Sequence, residues 1–79
     1  MSHAQFEVKW NERRSKWEVL EERSYGGYYV LERYRLKSQA KGHAQSLAKK
    51  ERAKAGFYSK DPAGEERRTH TVDYTDYQF

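Results

Sequence analysis

The 79 residues contain no cysteine, a single proline and no long apolar run. The first absence excludes disulfide staples, thiolate zinc sites and cysteine nucleophiles. Hydrophobic residues make up 35% of the chain, and no stretch approaches the roughly 18 apolar residues that a membrane span requires. The opening "MSHAQFEVKW" lacks the basic start and apolar middle of a secretory signal. A cytoplasmic protein without a membrane segment is the expectation from these absences. So short a chain makes one domain over residues 1–79, near the lower size at which a core supports itself without staples. An ordered body over about 5–74 and an acidic, aromatic tail over 75–79 are expected. A domain of this kind often gains stability by dimerising or by close packing.

What the chain does have is aromatic surface and charge. Two Trp, seven Tyr and three Phe offset a mean hydropathy of −1.30, and they fall in ordered patterns. "FEVKW" sets Phe6, Val8 and Trp10 against Glu7 and Lys9, the period-two signature of a half-buried strand. "KWEVLEER" repeats it, with Trp17 and Val19 inward and Lys16 and Glu18 outward, and "NERRS" between the two suits a hairpin loop. "SYGGYYVLERYRL" reads as a third strand after a Gly26-Gly27 turn. Tyr28, Val30, Tyr34 and Leu36 point inward, Tyr29 and Leu31 point to the opposite face, and Glu32 is a misfit. A helical reading of this segment stays open, because Val30, Leu31 and Tyr34 also lie at i, i+1 and i+4.

"KSQAKGHAQSLAKKERAKAG" (37–56) is the helix. Ala40, Ala44, Leu47 and Ala48 form one apolar stripe. Ser38 is the expected N-cap, Gln39 the first helical residue and Gly56 the C′ residue. A stripe made mostly of alanine requires close approach to the sheet, and Gly42 falls on the solvent side. "GFYSK" then reads as a short strand, "DPAG" as a type I turn and "RRTHTVDY" as the last strand. The expected fold is therefore α+β: an antiparallel sheet in the order β-β-β-α-β-β with one helix across one face.

Three segments, "KWEV" (16–19), "KSQAKGHAQSLAKK" (37–50) and "FYSKDPAG" (57–64), resemble the domain-of-unknown-function 2188 family of small prokaryotic and viral proteins. That family combines a W-x-V strand, a Lys-initiated Ala-rich helix and a strand broken by a D-x-x-G-like turn. The resemblance spans the central two-thirds of the chain and implies the same fold. The family has no established activity, so it implies no functional residue.

Catalysis is not expected. His3, His43 and His70 have no second histidine or carboxylate at ligand spacing, and a zinc site requires about four N, O or S ligands. No G-x-S-x-G, phosphate loop or H-E-x-x-H occurs. Neither a metal nor a cofactor is implied. Charge carries more information. Residues 33–54 hold eight Lys or Arg against one acid, Glu51, a net charge of +7, so the rest of the chain carries −3 within the total of +4. A field concentrated in this way favours an anionic partner. Sequence-independent contact with nucleic acid is expected from Arg33, Arg35, Lys37, Lys41, Lys49 and Arg52, joined by Arg13, Arg14 and Lys16 of the first hairpin. Trp10, Trp17, Tyr29 and Tyr34 are candidate stacking or interface residues. Trp10 and Trp17 also lie on the apolar phase of their strands, which points to the core. The competing expectation is a protein-interaction module or homodimer that uses the aromatic face of the sheet left open by a single helix.

Overall fold

A computed structural model describes residues 5–22, 26–59 and 68–76. Five strands and one helix follow in chain order: β1 (Gln5–Asn11), β2 (Lys16–Glu22), β3 (Tyr28–Tyr34), α1 (Lys37–Glu51), β4 (Lys54–Tyr58) and β5 (Arg68–Asp73). They form one sheet in the spatial order β3-β2-β1-β4-β5, with α1 packed on one face. The α+β class and the element order are those expected, and β3 is a strand rather than a helix.

The sheet is mixed, which corrects the antiparallel expectation. β1 pairs with β2, β2 with β3, and β4 with β5 in antiparallel fashion, but β1 pairs with β4 in parallel. The reason is the path of the helix. β3 runs in the same direction as β1, and α1 carries the chain back over the sheet, so the next strand starts again in that direction. A connection of helical length permits parallel pairing where a hairpin cannot.

The helix side of the sheet presents Phe6 and Val8 from β1, Trp17 and Val19 from β2, and Ala55 and Phe57 from β4. Ala40, Ala44 and Ala48 meet them with no exposed surface, while Leu47 is half-buried. Methyl-sized side chains let the helix axis come close to the sheet, as the alanine stripe requires. The β1–β2 loop is closed by Asn11, whose Oδ1 accepts the Arg14 N–H at 3.1 Å, and by Ser15 in the left-handed region at φ 52.

β3 departs from the expected alternation. The pairing passes from Val19↔Glu32 to Leu20↔Val30, so Leu31 has no partner of its own. This bulge exchanges the expected faces. Leu31 turns to the core beneath α1, while Tyr28 and Val30 lie on the open face with Leu20 and Glu22. It also accounts for the misfit Glu32, whose exposed Oε1 accepts the Arg33 N–H.

Both expected helix boundaries shift. The N-cap is Leu36, in extended conformation and without a side-chain cap, so Ser38 lies inside the first turn. At the other end Arg52 adopts the left-handed conformation (φ 51, ψ 56), and its N–H is directed at the Ala48 and Lys49 carbonyls. Gly56 is instead a buried residue within β4, directly across from Glu7. The "DPAG" turn and the last residues of the tail, 77–79, lie outside the described residues. No helix among the described residues is long and apolar enough to cross a membrane.

Candidate nucleic-acid interface

On a 3.6-residue helix, Ala40, Ala44 and Ala48 set the buried direction. Lys37, Lys41 and Lys49 follow along one flank, and His43, Leu47 and Lys50 lie on the other; Arg52, expected on the same flank, is the left-handed C-cap and lies off this wheel. The side-chain contacts show what each flank faces. The Lys37 ammonium stands 5.0 Å from the Trp17 ring centroid, that of Lys41 stands 5.2 Å from Phe57, and that of Lys49 stands 5.6 Å from Tyr74. The cations therefore cross the sheet with the helix, from β2 under Lys37 to the β4–β5 side under Lys41 and Lys49. On the opposite flank, Tyr34 and His43 meet edge to face and share a 3.1 Å contact from the Tyr34 hydroxyl to His43 Nδ1.

The ammonium groups thus lie over aromatic rings of the core, and Lys37, Lys41 and Lys49 are half-buried. Exposed His70 stacks on Phe57 at 5.7 Å and 13°, beside the Lys41 ammonium. Val72 and Tyr74 extend this strip along β5. The first turn of α1 contains no acid and has no side-chain cap, so its free N–H groups and the positive end of the helix dipole add to the same field. The cations also act on one another. Lys37 has its pKa lowered from the usual lysine value, first by partial burial and then by the charge of Lys41.

The other predicted residues are dispersed. Arg13 and Arg14 are exposed on the β1–β2 loop, and Arg35 is exposed just ahead of α1. Trp17, next to that loop, lies under Lys37, so the loop and the start of the helix occupy the same end of the sheet. No acid among the described residues pairs with Arg13, Arg14, Arg35, Lys41 or Arg52. Lys16 and Arg33 belong to the face away from the helix, where Arg33 Nε donates to Glu18 Oε2 at 2.8 Å. Arg33 is thus occupied by an acid and separated from the helix lysines. Trp17 is buried in the core and packs edge to face on half-buried Trp10 at 5.3 Å, while Trp10 Nε1 donates to Glu12. Core packing takes up both indoles, in keeping with their apolar phase. Tyr34 is half-buried against His43, and Tyr29 is exposed at the β3 edge on the helix side.

His70, Phe57 and Tyr74 were not among the residues singled out from sequence, because only the pairing of β4 with β1 brings them beneath the lysines. The sole sequence signal was the alternation of His70, Val72 and Tyr74 along β5. Comparison of the chain with protein-family models, with curated proteins and with solved structures gives no match. The functional reading accordingly rests on this geometry.

Proposed function

We propose that the protein is a non-enzymatic nucleic-acid-binding domain that contacts phosphates, without reading sequence, along α1 through Lys37, Lys41, Lys49 and Arg52. The observation that carries this reading is the row of Lys37, Lys41 and Lys49 ammonium groups along the helix, over the rings of Trp17, Phe57 and Tyr74, with exposed Arg52 at its end. Burial and the neighbouring charge both disfavour a protonated Lys37, and its place in the first helical turn sets it against the dipole. An anion at this end relieves all three penalties, and the uncapped helix start offers it N–H donors. His70, stacked on Phe57, offers an exposed ring face beside the row for contact with a base. Arg13 and Arg14 extend the positive field beyond the helix start.

Anisotropy of labelled single- and double-stranded oligonucleotides, titrated at about 50 and 200 mM salt, tests this reading. Four phosphate contacts predict a log–log salt slope of about −3.6, so affinity falls on the order of a hundredfold between those conditions. Reversing Lys41, Lys49 and Arg52 to Glu together abolishes binding while the circular dichroism stays native. Unchanged affinity in that variant refutes the proposal.

A further inference from the structure

The face of the sheet away from α1 carries two buried acids in very different circumstances. Glu18 Oε2 accepts from Asn11 Nδ2 at 3.0 Å and from Arg33 Nε at 2.8 Å. Glu7 lies on the central strand with 0% exposure, and neither of its carboxylate oxygens has a hydrogen-bond partner. Among the described residues, the cation beside it is the Lys9 ammonium, 3.9 Å from Oε2. That ammonium is held between two phenol rings, 5.3 Å from the Tyr28 centroid and 4.7 Å from that of Tyr58. Across from Glu7 stands Gly56, which contributes no side chain to this face. A carboxylate here, walled by aromatic rings and without a hydrogen bond of full geometry, suits a cation that brings its own donors.

The geometry discriminates between cations. Lys9 already shows what an ammonium achieves: it lies over both rings and remains outside hydrogen-bond distance of Glu7. A guanidinium is planar, stacks on aromatic faces and presents a fork of N–H groups that matches both oxygens of a carboxylate. We propose that this face receives an arginine side chain from a partner protein, whose guanidinium displaces the Lys9 ammonium from between Tyr28 and Tyr58 and pairs with both oxygens of Glu7. Lys9 is 23% exposed on a flexible stem and swings out to water. Tyr28, 48% exposed, forms the accessible wall. This site lies on the face opposite the cationic flank and is independent of nucleic-acid binding.

Tyr28 also supplies a reporter. Its phenol pKa is pushed up to about 12, chiefly by hydrogen bonding to the Glu7 carboxylate, then by burial and by the Glu7 and Glu22 charges. The hydroxyl is thus near enough for Glu7 to hold its proton, although neither carboxylate oxygen gains a hydrogen bond of full geometry. A guanidinium that engages Glu7 lowers this pKa.

The test is an amide-resolved NMR titration of the full chain with N-acetyl-arginine amide and its lysine and citrulline counterparts. The arginine probe is expected to shift the Glu7, Leu20 and Gly56 amides saturably, and an extended peptide carrying one arginine binds more tightly than the amide alone. Lys9→Ala strengthens binding about threefold by removing the resident competitor. Glu7→Gln weakens it about tenfold, and citrulline, which lacks the charge, gives no saturable shift. The absence of saturable shifts in both the wild type and Lys9→Ala overturns the proposal. So does equal affinity for the arginine and lysine probes.

Discussion

The two faces of the sheet use the same pair of groups, a lysine and an aromatic ring, to opposite ends. Beneath α1, Lys37, Lys41 and Lys49 lie over Trp17, Phe57 and Tyr74, in a layer where Glu51 is the lone acid of the helix. On the open face, Lys9 lies over Tyr28 and Tyr58 but is directed at a buried acid, and Arg33 is tied to another. The helix concentrates positive charge along its length, whereas on the open face Lys9 and Arg33 each stand beside an acid. A cation over a ring is therefore not informative by itself. The sign of its neighbours decides whether it is offered to a partner or held by the fold.

β4 allows the sharpest comparison, because adjacent residues serve the two faces. Phe57→Ala is expected to cost about 3–5 kcal/mol, since it empties a fully buried site beneath α1. Tyr58→Ala, on the half-buried open side, costs about 1 kcal/mol or less. Chemical denaturation of both variants measures the ratio, and similar losses mean that the open face is as much a core as the helix side. Ala44→Leu comes next, at about 1–3 kcal/mol, because Ala44 is fully buried between helix and sheet and a larger side chain must push them apart. Glu7→Leu is expected to act in the opposite direction and to stabilise by about 1–3 kcal/mol, as it removes a buried carboxylate without a hydrogen bond of full geometry. A destabilised variant means instead that the Glu7–Lys9 pair supports the fold. Gly42→Ala, on the exposed ridge of α1 where an added Cβ meets nothing within 4 Å, stabilises by about 1 kcal/mol.

The smallest effect concerns alkaline pH. The folded state keeps the Tyr28 proton up to about pH 12, whereas the unfolded chain releases it near 10.0. The stabilisation tied to this proton is complete below pH 10 and is lost as pH climbs towards 12. Ultraviolet titration is expected to show the late ionisation of Tyr28, and Glu7→Gln brings it to lower pH. Lys37 has the reverse sign. Its lowered pKa means that the unfolded chain binds the proton more tightly, so its penalty disappears as pH rises from the lowered value to 10.5.

Local pattern carried much of this description, and the reasons it stopped are visible at particular residues. The alternation of Phe6, Val8 and Trp10 with Glu7 and Lys9 marked β1, and the alanine stripe marked the buried side of α1, because side-chain period depends only on backbone geometry. The wheel also grouped Lys41, Lys49 and Arg52. It did not show what they face, since Phe57 and Tyr74 reach them through pairings made on the far side of the helical crossover. The β3 bulge was illegible for a related reason: one unpaired residue, Leu31, reassigns the faces of Tyr28 and Val30, and nothing local forces it. Ser38 and Gly56 carried sound capping signals that the packing overrode.

By itself, then, the sequence determined the element order, the inward faces of β1, β2 and α1, and the concentration of positive charge between residues 33 and 54. Only the tertiary structure decided that β4 runs parallel to β1, that Lys41 and Lys49 border the β4–β5 side, and that Glu7 is buried opposite Gly56. The first set follows from neighbours a few bonds apart. The second depends on which distant strand docks against the free edge of β1, a choice made by the whole fold.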